Sequence, residues 1–241
     1  MSQAFFDALK SPLIVSVQAE AHEPLGQASH LLALCQSVIQ GGASALRLAN
    51  LEVMAAMHAT LPCIGLLKQT PAHLAQGASL ANEVYITPTL ATALQVAQTG
   101  VAMVAVDATP RPRPDGLTLA QTMQALKAQY PNVLVLGDCD TLASAQHAVA
   151  AGVDALSTTL AGYTTETLTT FDPHTPDWPL LQALITTFAH QIPVVAEGRF
   201  WHPDEAQRAL AMGATSVVIG SAITRPHLIT QRFAHACQPR P

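Results

Sequence analysis

At 241 residues the chain has room for one or two domains of about 150 residues, and an apolar share of 49% supplies enough core material to exclude global disorder. Charged residues make up only 11% of the chain, against roughly 25% in an ordinary soluble protein. A net charge of −5 with no basic block excludes a nucleic-acid footprint, and no apolar run approaches the roughly 18 residues of a membrane-spanning helix.

Short runs rich in Val, Ile and Leu recur along the chain at 13–17, 45–49, 63–67, 103–106, 133–136, 155–157, 194–196 and 216–219. They do not alternate strictly between apolar and polar, the pattern of strands buried on both faces of a parallel sheet. Between them lie alanine-rich stretches with helical spacing, such as Leu31, Leu34 and Val38, or Leu142, Ala145 and Val149. Strand–helix alternation predicts βαβ crossovers.

An internal repeat sharpens this pattern. Gly42, Gly100, Gly152 and Gly213 each end a helical stretch before a strand, as a C′ residue of positive φ would. The other four strands begin at or just after Pro12, Pro62, Pro131 and Pro193, where proline's missing donor does least harm. Four quarters of two strands each predict a single α/β domain over residues 1–241, a (β/α)8 TIM barrel. A doubly wound open sheet would announce itself with a glycine-rich turn after the first strand, where this chain reads QAEAHEPLG.

Two segments interrupt the rhythm. The stretch 71–87 carries a short apolar piece, VYIT, that adds to the third strand–helix connection. The polar, threonine-rich stretch 160–178 has the length of a lid or binding loop, and a bland mobile loop suits its composition equally. The cysteines Cys35, Cys63, Cys139 and Cys237 form no CxxC pair and read as buried, reduced thiols of a cytoplasmic protein. The start lacks a signal peptide's layout. The ten histidines make neither HxH nor HExxH, so no metal site is expected.

In such a barrel the residues just past the strand ends line the active face. Here those positions hold Gln18, Arg47, Lys68, Asp107, Asp138, the run Ser157–Thr158–Thr159, Glu197, and Gly220 with Ser221. Five of the eight are ionisable in a chain poor in charge, and charge beside an apolar core is costly unless it is paired or used. Lys68 and Glu197 stand on opposite strands, which suits removing a proton from one face of a carbon and returning one to the other; a salt bridge across the barrel suits the same residues. Gly198, Gly220 and Ser221 offer backbone N–H groups in the last two loops, and Arg225 can add charge to a phosphate site. Arg111 and Arg113, set between prolines after strand four, read as an anion-binding gate or as a rigid turn with solvated arginines.

The strand-end motifs resemble those of the N-acetylmannosamine-6-phosphate 2-epimerase family. The matching pieces are VSVQ from Val15, LRLAN from Leu46, GLLK from Gly65, YITPT from Tyr85 and VDATPRPRPDG from Val106. STTLAGYT from Ser157, AEGR from Ala196 and GSAITRP from Gly220 complete a collinear set over nearly the whole chain. The resemblance implies a (β/α)8 TIM barrel of the phosphate-binding type that epimerises C2 of a phosphorylated amino sugar, a small-molecule partner, with no metal or organic cofactor. It implies Lys68 and Glu197 as catalytic residues and Gln18, Arg47, Asp138 and Arg225 as substrate-binding residues. Gln69 and Thr70 depart from the family, which usually follows its lysine with arginine and an acidic residue. A pentose-phosphate epimerase, a barrel synthase and a catalytically silent sugar-phosphate binder are the competing readings. The apolar stretch 228–236 could supply a homodimer interface.

Overall fold

A computed structural model describes residues 2–19, 23–71, 74 and 79–238. The elements run α1 (Ser2–Asp7), β1 (Leu13–Val17), α2 (Ala28–Gln40), β2 (Ala45–Leu48), α3 (Leu51–Met57), β3 (Cys63–Gly65), α4 (Leu90–Gln98), β4 (Met103–Asp107) and α5 (Leu119–Gln129). They continue with β5 (Leu134–Asp138), α6 (Leu142–Ala151), β6 (Ala155–Ser157), α7 (Trp178–Phe188), β7 (Val194–Glu197), α8 (Pro203–Met212), β8 (Ser216–Ile219), α9 (Ser221–Thr224) and α10 (Pro226–Ala236). The strands pair in chain order, and β8 pairs in parallel with β1, so the sheet closes into the expected (β/α)8 barrel.

The punctuation works as the repeat implied. Gly152 and Gly213 cap α6 and α8 in the left-handed conformation, at φ 88° and 111°, where a Cβ would be strained. Three of the four prolines keep the ladder alive through their carbonyls. Val217 N–H donates to Pro12 at 2.9 Å, and Leu46 and Leu156 donate to Pro62 and Pro193 at 3.0 Å. Helices α4, α5 and α6 begin at Thr89, Thr118 and Thr141, each closing a capping box with the residue three positions on. Each box satisfies two backbone donors that a helix start otherwise leaves bare.

Strand parity then sorts the core into two compartments. Val15, Val17, Leu46, Leu48, Val104, Val106 and Val135 point outward and pack against the helices. Ile14, Ala45, Ile64, Leu66, Met103, Ala105, Leu134, Leu136, Ala155, Val195 and Val218 fill the barrel interior. Both faces of every strand are therefore apolar low in the barrel, which is why strict alternation is missing from the sequence. Phe6 of α1 joins the interior cluster beside Ile14, and Phe5 meets it edge-on at 5.0 Å. Helix α10, which carries the apolar stretch 228–236, buries none of its residues, and Phe233 is 69% exposed.

Candidate active site

Period-two alternation carries the inward face up each strand from apolar to polar. Ile14 leads to Ser16 and Gln18, Ala45 to Arg47, Leu66 to Lys68, Ala155 to Ser157 and Thr159, and Val195 to Glu197. The upper members of these ladders open into a cleft of about 480 Å³ lined by Ser16, Gln18, Arg47, Lys68, Thr159 and Glu197, with Gly198, Gly220, Ser221 and Arg225 along one wall. Eight of the nine predicted site residues, all but Asp138, line this cleft. A cleft of this size suits a small ligand.

Asp138 does not line the cleft. It is fully buried and receives a two-pronged salt bridge from Arg47, Nη2 to Oδ2 at 2.6 Å and Nη1 to Oδ1 at 3.1 Å. Such paired N–H···O contacts fix a guidanium plane as well as its charge. Arg47 is itself only 1% exposed, and Nη1 also reaches Glu197 Oε2 at 2.8 Å. Burial opposes the charge of Arg47, but Asp138 and Glu197 more than offset it and shift its pKa upward. Arg47 Nε has no hydrogen-bond partner among the described residues.

Glu197 sits at the cleft floor with its side chain 13% exposed. Burial pushes its carboxyl from 4.5 up to about 7, reinforced by the charge of Asp138 and opposed by Arg47, by Thr159 where its hydroxyl donates to the carboxylate, and by Lys68. The folded protein therefore binds more protons at Glu197 than the unfolded chain does between about pH 4.5 and 7. The stability this group contributes is complete below the lower value and is lost as pH rises through the upper one. Glu197→Gln should flatten the fall in unfolding free energy over that window, measured by urea titrations at several pH values. A slope identical to that of the unaltered protein would show that Glu197 titrates normally.

Lys68 is placed by the extra piece in the third connection. β3 pairs with β4 over only Ile64–Met103 and Gly65–Val104. Beyond that point residues 85–87 wedge between them: Gln69 N–H donates to Tyr85 at 3.0 Å, Thr87 N–H to Leu67 at 2.6 Å, and Asp107 N–H to Ile86 at 3.0 Å. An antiparallel bridge between Lys68 and Ile86 completes the wedge. Lys68 is thus held on a backbone paired on a barrel edge, and its side chain lines the cleft. The remainder of the predicted insertion, residues 72–73 and 75–78, lies outside the described residues. Tyr85 lines the same cleft, its hydroxyl pKa raised by burial and by the charge of Asp107.

The long loop after β6 packs as a rim. Thr164 Oγ1 donates to buried Asp140 at 2.6 Å, and Tyr163, Phe171 and Pro173 face the cleft. Arg199 pins this rim from the loop after β7, its Nη1 donating to Ala161 at 2.6 Å and its Nε to Thr175 at 2.8 Å. To do so Arg199 adopts φ 59°, next to Gly198 at φ 114°, a consecutive left-handed pair that only a firmly held loop keeps. On the far wall Gln18 donates to Ser16 Oγ at 2.9 Å, while its carbonyl accepts from Arg225 at 3.3 Å and Glu23 pairs with Arg225 at 3.3 Å.

Three expectations need correction. Arg111 and Arg113 neither gate the mouth nor lie in solvent. Arg111 pairs with Asp107 at 2.6 Å and donates to Ala81 at 2.8 Å, and Arg113, 7% exposed, donates to the carbonyls of Asp107 and Thr87 at 2.8 Å. They are ties that spread the cost of burying a guanidinium over backbone oxygens. Asp107 is consequently absorbed into the wall beside Asp138, its ladder neighbour, instead of facing the cleft. Of the cysteines, Cys35, Cys63 and Cys139 are buried, but Cys237 is exposed. Thr159 belongs to the run that strand-end counting named, whereas Tyr85 and Arg199 are cleft residues that it did not single out, although each stands inside one of the matching motifs.

Among the described residues no group of three or more His, Cys, Asp and Glu side chains is arranged to hold a metal ion. No described helix is long and apolar enough to cross a membrane.

Comparison with known proteins places this geometry. A sequence model of the family described as "Putative N-acetylmannosamine-6-phosphate epimerase" matches residues 31–239. A relative from Enterobacter sp. (strain 638), described as "Putative N-acetylmannosamine-6-phosphate 2-epimerase", is 41% identical over 96% of this chain and 95% of its own. Another from Caldanaerobacter subterraneus subsp. tengcongensis, of the same description, is 37% identical over 97% of this chain and 94% of its own. The solved N-acetylmannosamine-6-phosphate 2-epimerase from Clostridium perfringens superimposes with a TM-score of 0.86 at 35% identity, covering 96% of this chain and 95% of that one. This chain belongs to the N-acetylmannosamine-6-phosphate 2-epimerase family.

Proposed function

We propose that this protein interconverts N-acetylmannosamine 6-phosphate and N-acetylglucosamine 6-phosphate by removing and returning the proton on C2. The observation that carries the reading is the convergence of Lys68, Glu197 and Arg47 in one half-enclosed cleft whose far wall is glycine-rich. C2 of an N-acetylhexosamine becomes acidic only when the ring opens and C1 is an aldehyde. Ring opening asks for an acid at the ring oxygen, and deprotonation asks for a base at C2.

In this reading Glu197, pushed up to about 7 by burial, gives its proton to the ring oxygen near neutral pH, and the carboxylate so formed takes the proton of the C1 hydroxyl as the aldehyde forms. Lys68 exchanges the C2 proton from the opposite strand. Arg47, fixed by Asp138, orients Glu197 and adds positive potential where the enolate forms. Asp138 then serves by positioning Arg47 and not by touching the sugar. The phosphate lies toward Gly198, Gly220 and Ser221, with Arg225 beside it and Gln18 on the same side. Backbone N–H groups and a guanidinium are suited to that load. These groups supply acid, base and electrostatic stabilisation without a cofactor.

Incubating the pure protein with N-acetylmannosamine 6-phosphate should convert its anomeric NMR signals into those of the gluco epimer, equally with and without EDTA. Unphosphorylated N-acetylmannosamine should turn over far more slowly. Loss of activity in EDTA, or no conversion at all, would overturn the reading.

A further inference from the structure

The hydroxyl of Thr159 stands in a position that hydrogen counting does not allow it to fill alone. Its Oγ1 lies 2.9 Å from Asp138 Oδ1, 2.9 Å from Glu197 Oε2 and 2.6 Å from Ser157 Oγ. A threonine hydroxyl has one proton to donate and two lone pairs to accept with. With both carboxylates ionised it could satisfy one of them, and the other would face a lone pair at 2.9 Å. One additional proton resolves the conflict. Placed on Glu197 Oε2, it is donated to Thr159, Thr159 donates its own to Asp138, and Ser157 donates to Thr159.

The surrounding donors fit that arrangement. Arg47 Nη1 donates to Asp138 Oδ1 at 3.1 Å and stands 2.8 Å from Glu197 Oε2 in an ion-pair contact. Arg47 and Asp138 then form a neutral buried pair, and Glu197 adds no second negative charge to it. Keeping a second buried carboxylate uncharged avoids a large desolvation cost. The charged and titratable groups facing Glu197 are Arg47 from β2, Lys68 beyond β3 and Asp138 from β5, with Tyr85 of the wedge lining the same cleft.

We propose that Thr159 is a positioning residue for the catalytic proton: its hydroxyl accepts from the protonated carboxyl of Glu197 while donating to Asp138, so that Glu197 stands ready as the acid. The inference deepens the reading of Glu197 given above and rests on it for its catalytic meaning, but not for its physical content.

That content can be read without any substrate. The chain has only seven glutamates, so protein labelled with 13C at the glutamate side-chain carboxyl gives a spectrum simple enough to titrate, with Glu197→Gln identifying the Glu197 signal. Thr159→Val keeps the branched shape and removes the hydroxyl; Thr159→Ser keeps the hydroxyl. The Glu197 midpoint is expected at the same pH in the unaltered protein and in Thr159→Ser, and lower by about one pH unit in Thr159→Val, the size of one lost hydrogen bond; a Thr159 hydroxyl that donated to Glu197 would instead hold the midpoint down, and Thr159→Val would raise it. The alkaline limb of kcat/KM should move down with it. An unchanged or raised midpoint in Thr159→Val, or a failure of serine to restore it, would overturn the proposal. Absence of epimerase activity would count against the function and leave the titration to decide on Thr159.

Discussion

Lys68→Ala should lower kcat by about 100- to 10,000-fold, the usual worth of a positioned general base, while the affinity for N-acetylmannosamine 6-phosphate changes only a few-fold. The asymmetry follows from the layout of the cleft. The phosphate-facing wall of Gly198, Gly220, Ser221 and Arg225 belongs to the loops after β7 and β8, whereas Lys68 stands on the opposite side beyond β3. Removing the amine leaves the anchoring wall intact. The wedge that holds residue 68 is made of backbone hydrogen bonds, such as Gln69 to Tyr85, so alanine there keeps the fold. Isothermal calorimetry and initial rates on the same preparation check both halves. A variant that still turns over at more than about a tenth of the normal rate would remove Lys68 from the chemistry.

Arg47→Met should cost about 3–5 kcal/mol of stability, the usual range when one partner of a buried ion pair is removed, and should abolish activity. Arg47 is 1% exposed, and its departure leaves Asp138, 0% exposed, and Glu197 without the guanidinium that bridges them. The penalty should have a pH signature. Two carboxylates sharing a buried site raise each other's pKa, so the variant binds protons on folding and gains stability as pH falls from about 7 toward 5. Adding Asp138→Asn to Arg47→Met should return much of the lost stability and none of the activity. Urea titrations at pH 5, 6 and 7 test the pattern. A uniform loss at every pH would mean that lost packing, and not uncompensated charge, accounts for the effect.

The barrel was legible because its construction rules are local. A proline before one strand and a glycine before the next marked eight entries into the sheet, and every strand lies within two residues of its expected bounds. The cleft was legible for a related reason. Strand ends face the mouth, and ionisable residues stood at most of them in a chain only 11% charged. What strand-end counting left open was which charges meet one another. Asp107 and Asp138 end adjacent strands and look alike in the sequence. Asp107 is bound by Arg111, four residues on, and Asp138 by Arg47, ninety-one residues away. Arg113 faces inward because Thr87 and Asp107 offer it backbone carbonyls, and Arg111 because Ala81 offers a carbonyl and Asp107 its carboxylate. Thr159 gains its place from three oxygens contributed by β5, β6 and β7, and only closure of the barrel assembles them.

The scarcity of charge, read this way, belongs to the cleft. Arg47, Lys68, Glu197 and Arg225 are four of the chain's twenty-seven charged residues, and they share one cavity. The most direct measurement is a time course of N-acetylmannosamine 6-phosphate with the unaltered protein in D2O, followed by proton NMR at C2. The account predicts that the gluco epimer forms with deuterium at C2, and that Lys68→Ala exchanges no deuterium there at a comparable rate. Conversion that leaves the original hydrogen on C2 throughout, or C2 exchange undiminished in Lys68→Ala, would contradict it.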